Sequence, residues 1–190
     1  MNYKKYWKNT VLNVNKKILL HSCCGICSAY SILLLKELGY EVIVYFCNPN
    51  LDTSEEFNRR KEAQEVVCKY HQVELLIEPY DHLKYLYFIK GLENEPEKGS
   101  RCDKCIELRL IQSAEKAKAL NIEEFTTSLP ISPHKNFQKI SQIGQICADK
   151  YGVKFTPIDF KKKDGFFKTN EISKELNLYR QNYCGCEFAK

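Results

Sequence analysis

Ile18-Leu19-Leu20-His21-Ser22-Cys23-Cys24-Gly25-Ile26-Cys27 sets the reading of this chain. Its opening apolar run has the composition of a buried strand, and Ile32, Leu33, Leu35 and Leu38 follow in a helical pattern. Three thiols therefore fall on a strand-to-helix turn. There the first backbone N–H groups of the helix lack partners, and the helix dipole favours negative charge. Both effects favour thiolate, the form that binds metal.

The same alternation continues on both sides of that turn. Strands are expected at about 17–22, Glu41–Cys47, Val73–Ile77, Phe125–Leu129 and Val153–Ile158. Helices are expected at about 27–39, 54–70, 81–91, 102–120, 135–151 and 170–177. Asn48-Pro49-Asn50 marks a turn, residues 92–100 a polar loop, and Lys161-Lys162-Lys163-Asp164-Gly165 a basic loop. Residues 1–16 are expected to be a basic arm or short helix, and residues 178–190 a cysteine-bearing tail of a single domain. Alternating strands and helices imply right-handed crossovers and a mostly parallel sheet, here a Rossmann-like three-layer α/β fold of about five strands. In such sheets ligands lie beyond the carboxyl ends of the strands. Four unusual loops belong there: His21–Cys27, Asn48–Asp52, Leu129–Asn136 and Asp159–Gly165.

The 190 residues are 44% hydrophobic and 28% charged, a balance that supports a substantial core in a soluble protein. Apolar runs fall well short of the roughly 20 residues a spanning helix needs. The basic start is not followed by an apolar region, so a secretory signal is not expected and the cytoplasm is. In a reducing compartment, ten cysteines point to metal or redox chemistry rather than disulfides. The net charge of +5 is compatible with an anionic partner such as nucleic acid.

Seven cysteines form three tight groups: the turn, Cys102-x-x-Cys105, and Cys184-Gly185-Cys186. The spacing of Cys102 and Cys105 at a helix start puts both sulfurs on one face. That pattern serves zinc and iron–sulfur sites alike. Cys47, Cys68 and Cys147 read as small core residues. His21 reads as a strand-end histidine held by a backbone hydrogen bond, or as a residue that orients a metal ligand or moves a proton. His71 and His82 read as surface residues, and Lys4, Lys5, Lys8, Lys16 and Lys17 as a solvated face. Lys161, Lys162 and Lys163 flank the expected site and suit phosphate contact. Arg101, Arg109 and Arg180 lie beside cysteine groups, where they can neutralise charge or hold phosphate. Tyr179 and Tyr183 suit base stacking or the core.

Taken together, these stretches resemble the QueH-type epoxyqueuosine reductases. The resemblance rests on HSCCGIC (His21–Cys27), FCNPN (Phe46–Asn50), EEFNRR (Glu55–Arg60), RCDKCIELRL (Arg101–Leu110), TTSLPISPHKN (Thr126–Asn136), DFKKKDG (Asp159–Gly165) and LYRQNYCGC (Leu178–Cys186). Ile26 stands where the family commonly has proline, Cys27 where some members have aspartate, and Cys47 where the family has tyrosine. The resemblance implies a [4Fe–4S] cluster beside a second metal ion, iron or zinc. It implies reduction of the epoxide of epoxyqueuosine to give queuosine, at the wobble nucleoside of tRNAs with GUN anticodons, fed by an external electron donor. By adjacency, Cys24, Cys27, Cys102 and Cys105 go to the cluster, and Cys23, Cys184 and Cys186 to the second metal. His21, Asp103 and Tyr183 are candidate proton donors. Asn48, Asn50, Arg101, Arg109, Ser132, His134, Lys135, Asn136, Lys163 and Arg180 are candidate substrate contacts. Two rivals stand beside this reading. One is an ATP-using tRNA thiolation enzyme, against which the first turn lacks a Ser-Gly-Gly-x-Asp-Ser phosphate loop; the other is a zinc module that binds nucleic acid.

Overall fold

A computed structural model describes residues 16–189. The chain runs β1 (Lys16–Ser22), α1 (Gly25–Glu37), β2 (Tyr40–Phe46), α2 (Ser54–His71), β3 (Glu74–Ile77), α3 (His82–Phe88), α4 (Ser100–Ala119), β4 (Glu124–Thr127), α5 (Phe137–Tyr151), β5 (Lys154–Phe155) and α6 (Gly165–Glu175). Short 3-10 turns lie at Leu129–Ile131 and Glu187–Ala189. The five strands form one sheet in the order β3-β2-β1-β4-β5, and every neighbouring pair is parallel. The expected basic arm falls outside the described residues, apart from Lys16.

Side-chain alternation explains why β1 and β2 sit in the middle. Ile18, Leu20, Val42 and Val44 pack with Tyr30, Ile32, Leu35 and Val67 on the face covered by α1 and α2. Leu19, Ile43 and Tyr45 point the other way, into Ile106, Leu110, Ile140 and Ala148 of α4 and α5. A strand apolar on both sides is stable only between two helical layers. Gly25 lets the start of α1 lie against the α2 backbone, because a methyl there would run into the Ala63 carbonyl.

Several boundaries move for identifiable reasons. The first helix opens at Gly25, capped by the Cys24 sulfur accepting from the Cys27 N–H at 3.4 Å. The last helix opens at Gly165 rather than near residue 170, because Thr169 anchors its first turn to α1. The fifth strand pairs over two residues only, and Pro157 has no N–H with which to prolong the ladder. Helix α3 stops at Phe88, ahead of Gly91 at φ 88°. His71 is buried rather than on the surface. Lys16 is partly buried and bonds Glu124 at 2.7 Å, so it is not simply solvated.

The chain leaves β1 towards β2 on one side and later places β4 on the other. The β1/β4 gap is thus the point where strand order reverses, the place such sheets bind ligands. Helices α1, α4 and α5 all begin at that carboxyl edge. No helix of the described residues is long and apolar enough to cross a membrane.

Candidate metal centre

The turn after β1 brings Cys23, Cys24 and Cys27 together, with all three sulfurs within 4.8 Å of one another. Cys24 and Cys27 are 3.0 Å apart, and Cys23 and Cys24 3.9 Å. The turn is braced from below. The Ser22 hydroxyl donates to Gln64 Oε1 at 2.5 Å, and the Ser28 hydroxyl donates to the same oxygen at 2.9 Å. From above, the Gln181 amide donates to the Cys24 sulfur at 2.9 Å. Hydrogen bonds from the Cys24 and Cys27 thiols hold Cys23 well below the usual thiol range, aided by Arg109 and His21. The bond to Cys23 pushes Cys24 up to about 12, and Cys23 and Cys24 push Cys27 up as well. Three thiols this close share one negative charge unless a cation joins them. The trio could therefore hold a metal ion.

His21 lies fully buried beside this turn. Its Nε2 is 3.1 Å from the Cys47 carbonyl, which can only accept, so Nε2 carries the hydrogen. Nδ1 then accepts from the Thr127 hydroxyl at 2.8 Å, while that oxygen accepts from the Leu129 N–H. Burial and the neighbouring Arg109 bring its pKa down to about 4, so the ring is neutral near pH 7.

A second set of sulfurs forms where distant segments meet. Cys102 and Cys105, on the first turns of α4, line one cavity with Cys184 and Cys186 of the tail, together with Tyr85, Arg109 and Lys135. The Tyr85 hydroxyl is 3.0 Å from the Cys186 sulfur. The Lys98 N–H donates to Cys102 at 3.2 Å, and the Lys135 ammonium lies 3.6 Å from the Cys184 sulfur. Arg109 is buried between the two thiol sets. Burial disfavours its charge, but Cys105, Cys184 and Cys23 outweigh that and keep it protonated. Its Nε donates to the Cys105 carbonyl at 3.3 Å, and its buried Nη2 has no partner among the described residues. A guanidinium and an ammonium beside clustered sulfurs suit an anionic thiolate–metal assembly.

The tail is held by Arg60. Its Nε donates to Glu56 at 2.6 Å, and its two terminal nitrogens donate to the carbonyls of Cys184 at 3.1 Å and Tyr183 at 3.2 Å. The Asp52 N–H donates to the Gly185 carbonyl at 2.9 Å, and Gly185 has φ 96°, a conformation that favours glycine.

The remaining expected residues occupy varied positions. Asp103 is ion-paired with Lys139 at 2.9 Å. The Tyr183 hydroxyl donates to Asp52 at 2.8 Å, under the Arg60 guanidinium. Asn48 and Asn50 are buried, and Asn48 Nδ2 donates to the Ser22 carbonyl at 3.0 Å. Arg101 bonds the carbonyls of Glu93, Glu95 and Phe188, tying the chain end to the 92–100 loop. The Ser132 hydroxyl accepts from the His134 N–H, His134 is exposed, and Asn136 caps α5. Lys163 is half-buried with φ 56°, and Arg180 is exposed. Sequence reasoning missed Tyr85, Gln181, Gln64 and the Glu56–Arg60 pair. Of these only the pair carried a signal, an acid four residues before an arginine on one helix.

A parallel α/β sheet with seven thiols grouped at its carboxyl edge is a Rossmann-like scaffold carrying a candidate cysteine-built metal centre. The family model described as "Epoxyqueuosine reductase QueH" matches residues 18–190. Proteins named epoxyqueuosine reductase QueH are 37% identical in Streptococcus pyogenes, over 97% of this chain and 74% of theirs. The relative from Staphylococcus epidermidis is 38% identical over 91% of this chain and 76% of its own, and that from Thermotoga maritima 33% over 90% and 89%. The chain belongs to the epoxyqueuosine reductase QueH family. Among solved structures, the U34-tRNA thiolase NcsA from Methanococcus maripaludis, with its [4Fe–4S] cluster, matches 98% of this chain and 65% of its own at TM-score 0.63 and 16% identity. That likeness is one of fold.

Proposed function

We propose that the chain reduces epoxyqueuosine to queuosine at the wobble position of tRNA, with a [4Fe–4S] cluster on Cys102, Cys105, Cys184 and Cys186 and a second metal on Cys23, Cys24 and Cys27. This regroups the division drawn from adjacency. The observation behind it is that the tail pair and the α4 pair line one cavity, while the turn thiols crowd one another. When bound, such a pair supplies electrons singly and a Lewis acid for the epoxide oxygen.

The chain's own groups have separate work. Removing the epoxide oxygen takes two electrons and two protons and leaves an alkene and water. Lys135, half-buried beside Cys184, carries the ammonium at the cavity and donates to the departing oxygen. Arg109 balances the negative charge that thiolates and incoming electrons bring to both sulfur sets. His21, with both ring nitrogens engaged, fixes the β1, β2 and β4 ends beneath the turn. Asp103 and Tyr183, committed to Lys139 and Asp52, position their segments. Asn48 and Asn50, with buried amide oxygens that no group of the described residues bonds, are candidate acceptors for substrate N–H or O–H groups.

The test is anaerobic reconstitution with iron and sulfide, then nucleoside analysis of epoxyqueuosine-tRNA incubated with a reductant. Queuosine should form. Cys105→Ala or Cys186→Ala should lose the visible absorbance of the cluster, whereas Cys23→Ala should keep most of it and lose turnover. Unchanged epoxyqueuosine, or an intact cluster in the Cys105 and Cys186 variants, refutes the proposal.

A further inference from the structure

We propose that the start of α6 is a docking surface for the single-stranded loop of the RNA substrate, where the rings of Phe166 and Phe167 stack on unpaired bases and Lys161 and Lys162 meet phosphates. The proposal rests on the tRNA reading above and names the surface that would serve it. Phe166 is 42% exposed and Phe167 62% exposed, side by side on one helical turn. Successive helix positions diverge by roughly 100°, and both rings fall outside the buried stripe of Gly165, Thr169 and Ser173. Here α6 is held without them. The Thr169 hydroxyl donates to the Ile26 carbonyl at 2.5 Å and accepts from the Tyr30 N–H at 3.4 Å. Ser173 is buried, and Ile172 packs against the α1 side of the core. The turn before the rings is fixed as well, because Gly165 presses so closely on Phe160 and Tyr30 that a methyl would clash with both. The rings are therefore presented on a rigid support.

Their place in the fold matters as much as their exposure. Ile26, which receives the Thr169 bond, lies inside the thiol turn between Cys24 and Cys27. Lys161 Nζ donates to the Lys135 carbonyl at 3.1 Å, and the Lys135 ammonium reaches Cys184. The segment 161–169 thus runs along the rim from one sulfur set to the other. From Asp159 to Lys168 it holds four lysines and two aspartates, a net charge of +2. Neighbouring aromatic faces with interspersed cations suit single-stranded nucleic acid, whose bases stack without regard to sequence while phosphates meet lysine. A lipid surface or a second copy of the chain could also cover apolar rings, and the experiment separates these.

The experiment uses the reconstituted full chain, with Phe166→Ala/Phe167→Ala, Lys162→Ala and Ile146→Ala. Ile146 is a 66% exposed apolar residue on the third turn of α5, away from the rim. KM for epoxyqueuosine-tRNA should rise about tenfold or more in the double variant, with kcat within about twofold. An anticodon stem-loop carrying a fluorescent adenine analogue beside the wobble position should be quenched by the parent and not by the double variant. Lys162→Ala should weaken binding and reduce its salt dependence. Ile146→Ala should change neither KM nor quenching. Unchanged KM and quenching in the double variant overturns the proposal. So does parent-only binding to anionic phospholipid vesicles, or a dimer that the double variant abolishes. If the parent binds the stem-loop but reduces nothing, the reductase reading fails while the docking surface stands.

Discussion

Replacing Arg60 by methionine tests how the tail thiols are held. Arg60 is 3% exposed and Glu56 4% exposed, so their 2.6 Å pair is screened little by water. Methionine fills much of the same volume but removes the bond to Glu56 and both bonds to the tail carbonyls. Among the described residues, the Glu56 carboxylate then keeps only the Tyr179 hydroxyl, at 2.7 Å. Removing one partner of a buried ion pair costs about 3–5 kcal/mol, because the other charge stays behind. Each orphaned carbonyl adds about 1 kcal/mol or more, less whatever is recovered when the tail lifts towards water. The expected loss is therefore about 4–6 kcal/mol, a large part of the roughly 5–15 kcal/mol that holds a domain folded. Glu56→Gln/Arg60→Met discharges the carboxylate and should recover about 2 kcal/mol, yet leave the tail unanchored. Urea unfolding of the metal-free, reduced protein under argon measures the first effect. The rate of maleimide labelling at Cys184 and Cys186 measures the second, and should rise in both variants. A single variant within about 1 kcal/mol of the parent, or tail thiols labelled at the parental rate, would refute the reasoning.

Two further outcomes follow from local geometry. Gly185→Ala forces a side chain into a φ of 96° and against Leu51 and the Arg60 guanidinium, 2.8 Å from the new carbon. It should cost about 2–3 kcal/mol in urea unfolding and lower cluster retention, with the turn thiols unaffected. At the opposite edge of the sheet, burial would raise the Glu124 pKa, but hydrogen bonds from Lys154 and Lys16 overcome it and bring it from 4.5 down to about 2. A depressed folded-state value stabilises the fold above pH 4.5, and that contribution fades as pH falls towards 2. Its full size is at most about 3 kcal/mol. Glu124→Gln should remove this part of the acid dependence in urea midpoints taken across that window, and an unchanged profile would refute the assignment.

How much could be read from the chain depends on how local each determinant is. The β1–turn–α1 unit was legible because a strand buried on both faces must be apolar throughout, and three thiols fall within five residues of its end. The start of α6 was not. Gly165 reads as a breaker, and two exposed phenylalanines give no amphipathic period, so the helix is set by the Thr169–Ile26 contact across the core. Strand β5 looked longer because Val153, Phe155 and Ile158 recur among polar residues, yet the ladder pairs only Lys154 and Phe155 before Pro157. The three cysteine groups stood out by spacing. Their partnership did not, because it depends on where the tail returns, and the arginine that decides this lies more than a hundred residues away on α2.

The two sulfur sets differ in mechanical support, and that difference bears on how the centre is built. The turn trio closes within five residues on a helix start already braced by Gln64, so it needs little beyond β1 and α1 to exist. The other set joins Cys102 to Cys186, 84 residues apart, and closing such a loop carries an entropy cost that local contacts must offset. Arg60, Asp52, Arg101 and Tyr85 each bond the tail near its thiols, which is where that offset is found. Arg109 couples the two sets, since its charge is sustained by Cys23 on one side and by Cys105 and Cys184 on the other. If each set holds a cation as proposed, loading one would lower the negative potential that Arg109 answers, and so alter the affinity of the other set for its own cation. The coupling must be reciprocal, because it is a single electrostatic free energy shared by both sites.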